Sequence, residues 1–203
     1  METLEGMETW DVVPRESWMN VLPTTWAFKC KRYPDGTIRK YKARFCARGD
    51  KQIEGVDFFE TFAPVVNWTT VRLLLVVSIL LGLKTAQADY TAAFVQAPID
   101  KPPNWDAMTE DEKANSGVYC HMPRGFKEHG MVLKLKRNLY GLRQAPRNFF
   151  HHLRTNLESI EFTSQTDIDP CLFISDKVIC LTYVNDTLFF SPRQEYIDEA
   201  MDQ

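Results

Sequence analysis

The sequence predicts an α+β fold, and three observations carry that reading. Alternating apolar and polar residues over Thr25–Arg48 read as a β-hairpin. A second pair of runs, Val178–Val184 and Thr187–Phe190, is rich in β-branched and aromatic residues and reads as a tighter hairpin near the end of the chain. Between them lie two helical stretches, Thr69–Leu83 and the segment that follows Pro146. Helices packed on one face of an antiparallel sheet make this layered class. The chain has 203 residues, 44% of them hydrophobic, which suffices for one domain, or one domain with a small lobe, around a real core.

Composition excludes several function classes. The net charge of −3 gives no average pull toward nucleic acid, so any such partner must be argued from local charge. Cysteines 30, 46, 120, 171 and 180 form no CxxC pair, and histidines 121, 129, 151 and 152 form no HExxH. That argues against a zinc site and suits a reducing compartment with free, mostly buried thiols. METLEGMETW is acidic and lacks the apolar core of a secretory signal. The apolar run Val71–Leu83 is interrupted by Arg72 and falls far short of the roughly 20 residues of a membrane span, so neither secretion nor a membrane partner is expected.

Along the chain, Trp26, Phe28 and Cys30 alternate with Ala27, Lys29 and Lys31, and Pro34-Asp35-Gly36 makes the turn. On the return strand Tyr41, Ala43, Phe45 and Ala47 share one face, while Lys40, Lys42 and Arg44, with Arg48 beyond them, share the other. Nine Lys or Arg against two Asp lie between Lys29 and Lys51. Such a stripe suits phosphate groups, and it equally suits a lysine-guarded edge strand. DFFETFAPVVN (57–67) is an irregular aromatic segment, and Thr69–Leu83, apolar nearly all round, is expected to be a buried helix.

Thr85–Asp89 is a short strand ending in a carboxylate, and 100–117 is an acidic surface insertion without apolar period. Val118–Met122 and Met131–Arg137 read as paired strands. In the helix after Pro146, Phe149, Phe150, Leu153, Leu157 and Ile160 keep to one face, with His151 and His152 off its centre. Leu172–Ser175 is a strand, and Asn185-Asp186 is expected at the tip of the last hairpin, as a turn pair or as a rigidly held acidic site. The Asp89 strand and that hairpin could lie side by side on one sheet. The closing residues read as a helix that has only just begun.

Five stretches together resemble the reverse transcriptase of copia-type (Ty1/copia) LTR retrotransposons: RKYKARFCARGDKQIEGVDFFETFAPVV (39–66), TVRLLL (70–75), QADYTAAFVQAPI (87–99), LYGLRQAPRNFF (139–150) and LTYVNDTLFF (181–190). The resemblance implies the fingers and palm of a right-hand polymerase. Residues 1–20 would be an N-terminal extension, 21–85 mainly fingers, and 86–203 mainly palm. It implies extension of a primer 3′-hydroxyl on an RNA or DNA template by dNTPs, with two Mg²⁺ ions, or Mn²⁺ in their place. Three palm positions hold the metals, here Asp89, Asn185 and Asp186.

By the same resemblance Arg44 and Lys42 meet the triphosphate, Phe94 screens the ribose 2′-position, and Gln144 and Tyr183 lie near the incoming nucleotide. Lys29, Lys31, Lys40 and Arg48 face the nucleic acid. Asn185 departs from the family's aspartate and removes one negative charge, so catalysis is expected to be impaired, or the chain is an inactive nucleic-acid-binding remnant. Truncation is a second departure from the family: no thumb, connection or RNase H follows Gln203 and no integrase precedes Met1 in this sequence, so grip on a duplex is expected to be weak, with the missing parts on a longer Pol polyprotein or the chain a degenerate remnant. The expected setting is a cytoplasmic retrotransposon particle or the nucleus, in a pathway that ends in DNA integration.

Overall fold

The computed structural model describes residues 2–126 and 128–202. In chain order the first elements are α1 (Glu2–Gly6), β1 (Trp10–Pro14), β2 (Val21–Leu22), β3 (Thr24–Arg32), β4 (Ile38–Ala47), α2 (Trp68–Leu80), β5 (Lys84–Asp89), α3 (Ala93–Gln96) and α4 (Glu110–Asn115). There follow β6 (Tyr119–Cys120), β7 (Met131–Leu135), α5 (Ala145–Ser159), β8 (Thr163–Ser164), β9 (Leu172–Ile174), β10 (Ile179–Tyr183), β11 (Asp186–Ser191) and α6 (Gln194–Met201). Among the described residues these strands form three sheets, which makes the class mixed α and β. The chain divides into two units, Met1–Thr61 with Phe94–Asn148, and Phe62–Ala93 with Phe149–Gln203.

The first unit is built on the sheet β1-β7-β6-β2 and the two-stranded ribbon β3-β4. Residues before Val21 are structured here: β1 pairs antiparallel along β7 from Trp10↔Leu135 to Pro14↔Met131. Leu22, Phe45, Cys120, Leu133, Leu139 and Leu142 form the core, with Trp10 and Trp26 packed against it. The ribbon turns where the sequence predicts. Asp35 Oδ1 accepts from the Thr37 amide at 2.9 Å, and Gly36 takes φ +88°, a conformation that side chains resist. The acidic insertion carries α4, whose start is a capping box between Thr109 and Glu112.

The second unit is the sheet β5-β11-β10-β9-β8 with α2, most of α5, and α6. Leu172, Leu181 and Phe190 pack with Val66 and Leu74, so α2 sides with this sheet. Asn67 caps α2 by accepting from the Thr69 amide at 2.9 Å. The expectation of a buried helix is corrected: only Thr70, Leu74 and Ser78 of α2 are buried. Leu73 is 59% exposed, Ile79 80% and Leu80 77%. Uniform apolarity names no inward side, and the line that faces the sheet carries two small hydroxyl residues.

Candidate active site

Strand β5 is held along its whole length by β11, in the antiparallel register Thr85↔Phe190, Gln87↔Leu188 and Asp89↔Asp186. Partners across an antiparallel ladder have Cα atoms about 5 Å apart and project to the same face. Two carboxylates 97 residues apart in sequence (186 − 89) are therefore neighbours at one end of the sheet. β10 pairs with β11 through Tyr183↔Asp186, which leaves Val184 and Asn185 as the two-residue tip. This corrects the expected tip, since Asp186 is already the first residue of a strand.

Val184 takes φ +55°, a left-handed conformation that a β-branched residue rarely adopts. The turn thereby brings Asn185 back over β5. Its Nδ2 donates to Asp89 Oδ1 at 2.6 Å, and its carbonyl accepts from the Tyr90 amide at 3.0 Å. Asp186 has an amide partner of its own, because Gln87 Nε2 donates to its Oδ1 at 3.1 Å. Each carboxylate at this edge thus accepts from one carboxamide. The Tyr183 ring lies 6.5 Å from that of Trp68 and is about half exposed.

In the first unit the β3-β4 ribbon has two unlike faces. Register pairs Ala27↔Arg44, Lys29↔Lys42 and Lys31↔Lys40 make one cationic, while Trp26↔Phe45, Phe28↔Ala43 and Cys30↔Tyr41 make the other aromatic. The Arg44 guanidinium lies over the Tyr140 ring, 5.4 Å from its centroid, and Phe94 meets that same ring edge-on at 5.4 Å. Arg48 is committed to Asp50 by two bonds of 2.7 Å, and the guanidinium holds the Asp50 carboxyl down at about 2.

Gln144 is fully buried, 0% exposed. It accepts from Gln52 Nε2 at 2.9 Å and donates to the Asp57 carbonyl at 3.1 Å. Asp57 itself accepts from Asn20 and from the Ile53 amide, and burial raises its carboxyl above the ordinary value. Gln52 also receives the Arg143 amide at 2.8 Å. The segments ARGDKQ and LRQAP are thus locked together through buried amides, and the Gln144 side chain is one of the locking groups.

Comparison with known proteins places these stretches. The family description "Reverse transcriptase (RNA-dependent DNA polymerase)" matches residues 7–203. The chain belongs to the reverse transcriptase family. It is 35% identical over 191 residues to the retrovirus-related Pol polyprotein from transposon RE1 of Arabidopsis thaliana, an overlap of 90% of this chain and 12% of that protein. It is 32% identical over 196 residues to the Pol polyprotein from transposon TNT 1-94 of Nicotiana tabacum, covering 93% of this chain and 14% of that one. Against the Ty1-ER2 Gag-Pol polyprotein of Saccharomyces cerevisiae the identity is 26% over 199 residues, 91% of this chain and 10% of the relative. The chain thus spans about an eighth of the length of its plant relatives.

A reverse transcriptase implies a divalent metal, and the donors can be tested against it. Asp89 and Asp186 supply hard carboxylate oxygens at adjoining positions, and the amide oxygen of Asn185 is a third donor of the same chemical type, which suits Mg²⁺ or Mn²⁺. Among the described residues, no three His, Cys, Asp or Glu side chains gather as a metal site. The acidic arms number two, and the amide hydrogens of Asn185, not its oxygen, are turned to Asp89. No helix among the described residues is long and apolar enough to cross a membrane. Sequence reasoning missed Gln87 and Gln52. Period-two alternation from Asp89 finds the first, since residues i and i−2 share a strand face; a buried amide pair leaves no such trace.

Proposed function

We propose that the chain is the nucleotidyl-transfer portion of an RNA-directed DNA polymerase, extending a primer 3′-hydroxyl with dNTPs on an RNA or DNA template, in a form weakened by Asn185. The observation that carries this reading is the direct pairing of Asp89 with Asp186, with Asn185 bonded to the former. When bound, Mg²⁺ ions supply charge neutralisation for the triphosphate and activation of the attacking hydroxyl. Asp89 and Asp186 would hold them, with Asn185 turning its amide to offer oxygen. The chain's own contribution is positioning. The hairpin fixes the carboxylates against β5, Arg44 and Lys42 offer charge to a triphosphate, and Phe94, packed on Tyr140, offers an aromatic wall to a sugar. Gln144, fully buried, braces the segments around Gln52 and Asp57. Tyr183 stands next to the acidic edge at the hairpin's flank. The fingers and palm labels for 21–85 and 86–203 belong to this proposal, as do an RNase H, an integrase and the particle of a Pol polyprotein as partners and setting.

The test is primer extension on a homopolymer template with Mg²⁺ or Mn²⁺, comparing the chain with Asn185→Asp and Asp89→Ala. Restoring the carboxylate should raise the rate by roughly 10³-fold, because a lost metal-binding charge costs several kcal/mol in a charged transition state. Asp89→Ala should be at background. An Asn185→Asp variant no faster than the parent refutes the reading.

The amide bond from Asn185 to Asp89 favours a second reading, a domain that holds nucleic acid without turnover. Lys29, Lys31, Lys40, Lys42 and Arg44 would then carry the binding. With those five cations engaged, log Kd should change with log salt at a slope of about 3.5 for a single strand. Salt-dependent binding with no dNTP incorporation, even by Asn185→Asp, selects this alternative.

A further inference from the structure

We infer that Gln87 is a positioning residue for the metal-binding edge: its side-chain amide sets the orientation of Asp186, and so governs how tightly the chain takes a divalent cation. The inference rests on the proposed polymerase reading and adds to it a residue outside the three acidic positions.

Gln87 stands two residues before Asp89 on β5 and therefore shares its face. It pairs with Leu188, and Asp186 pairs with Asp89, so Gln87 and Asp186 are diagonal neighbours across the ladder, within reach of a long side chain. That reach is used, with Nε2 donating to Asp186 Oδ1 at 3.1 Å. A carboxylate has about four lone-pair sites on two oxygens, so one accepted bond at Oδ1 turns the group without using up its capacity for a cation. Outer hydrogen bonds of this kind fix the plane of a metal-binding carboxylate, and their loss typically lowers metal affinity by about 10-fold or more.

Asn185 acts on the other carboxylate in the opposite sense. Its bond to Asp89 Oδ1 is short, 2.6 Å, and comes from the position whose oxygen a cation would need, so the amide must turn before that oxygen is offered. Gln87 carries no such conflict, because its strand position keeps it beside the pair. The two amides thus divide the work. One orients Asp186, and the other occupies Asp89 until a cation displaces it.

The experiment measures Mn²⁺ binding to the whole chain by electron paramagnetic resonance, in the parent and in the Asn185→Asp background. Gln87→Met keeps length and volume and removes the donor. Far-ultraviolet circular dichroism and a thermal melt check the fold of each, and Gln87→Thr serves if the Met variant does not fold. We expect Mn²⁺ affinity to fall about 10-fold in Gln87→Met in both backgrounds, with the melting temperature unchanged. Unchanged or tighter binding in Gln87→Met, with Asp89→Ala weakened and Asn185→Asp strengthened as the polymerase reading requires, overturns the role of Gln87 alone. Absence of Mn²⁺ binding in both backgrounds, or binding indifferent to Asp89→Ala, overturns the metal site and this inference together.

Discussion

Gly36 and Gly141 have nearly the same backbone, φ +88° and +92°, in very different surroundings. A Cβ at Gly36 would meet nothing within 4 Å, whereas one at Gly141 would collide with the carbonyl of Ala47. Alanine at either site incurs the left-handed penalty of about 1–2 kcal/mol and gains the same small unfolded-state benefit. At Gly141 the Ala47 carbonyl must also retreat by about 1 Å to reach an ordinary contact. That motion pulls on the Ala47 amide bond to the Tyr140 carbonyl, 2.8 Å, and on the Arg143 Nε bond to the Gly49 carbonyl, 2.8 Å. Losing two such bonds in a half-buried setting adds about 2–3 kcal/mol. Gly141→Ala should therefore cost about 3–5 kcal/mol and Gly36→Ala about 1–2. In urea melts followed by tryptophan fluorescence, the gap corresponds to a midpoint difference of about 1 M. Midpoints for the two variants within about 0.2 M of each other would refute the claim that this close approach locks the two segments.

Three further outcomes are expected. Burial raises the Asp57 carboxyl above the 3.8 of an unperturbed aspartate, so the folded state binds its proton more tightly than the unfolded chain does. Its contribution to stability should be present below about that value and be lost as pH rises through the raised one; Asp57→Asn should flatten this part of a stability–pH curve measured by urea melts. Cys120 and Cys171, pushed up to about 12 chiefly by burial, and the buried Cys180 should resist a thiol reagent at pH 8 until the chain unfolds, while the exposed Cys30 reacts at once; mass spectrometry of the labelled peptides reads this directly. Val184→Gly should stabilise the chain by roughly 1 kcal/mol by relieving φ +55°, yet loosen Asn185, seen as faster amide hydrogen exchange at Tyr90, whose amide bonds the Asn185 carbonyl.

What the sequence made legible was periodic. The alternation through Trp26, Phe28 and Cys30 specified the two-faced ribbon, and the runs on either side of Asn185 specified β10 and β11. The Asp89 strand and the last hairpin could be expected side by side on one sheet, but the register that sets Asp89 opposite Asp186 is seen only in the ladder. What stayed illegible depends on partners distant in the chain. Asn185-Asp186 is a good turn pair by residue type, but the pairing of Tyr183 with Asp186 forces the turn onto Val184. Gln144 is one polar residue in a motif until Gln52 and the Asp57 carbonyl are seen to consume its amide. Arg48 counts toward a basic stripe until Asp50 takes both of its bonds.

The outward flank of α2, with Leu73, Val76, Ile79 and Leu80 all more than half exposed, alters how preparations of this chain should be judged. Fluorescent dyes such as ANS, which brighten on greasy surfaces, are commonly read as reporting a loosened, molten state. Here a fully native sample should light them, with its near-ultraviolet dichroism intact. Dye uptake is therefore no fault signal for this chain, and Ile79→Lys with Leu80→Glu offers the matching blank.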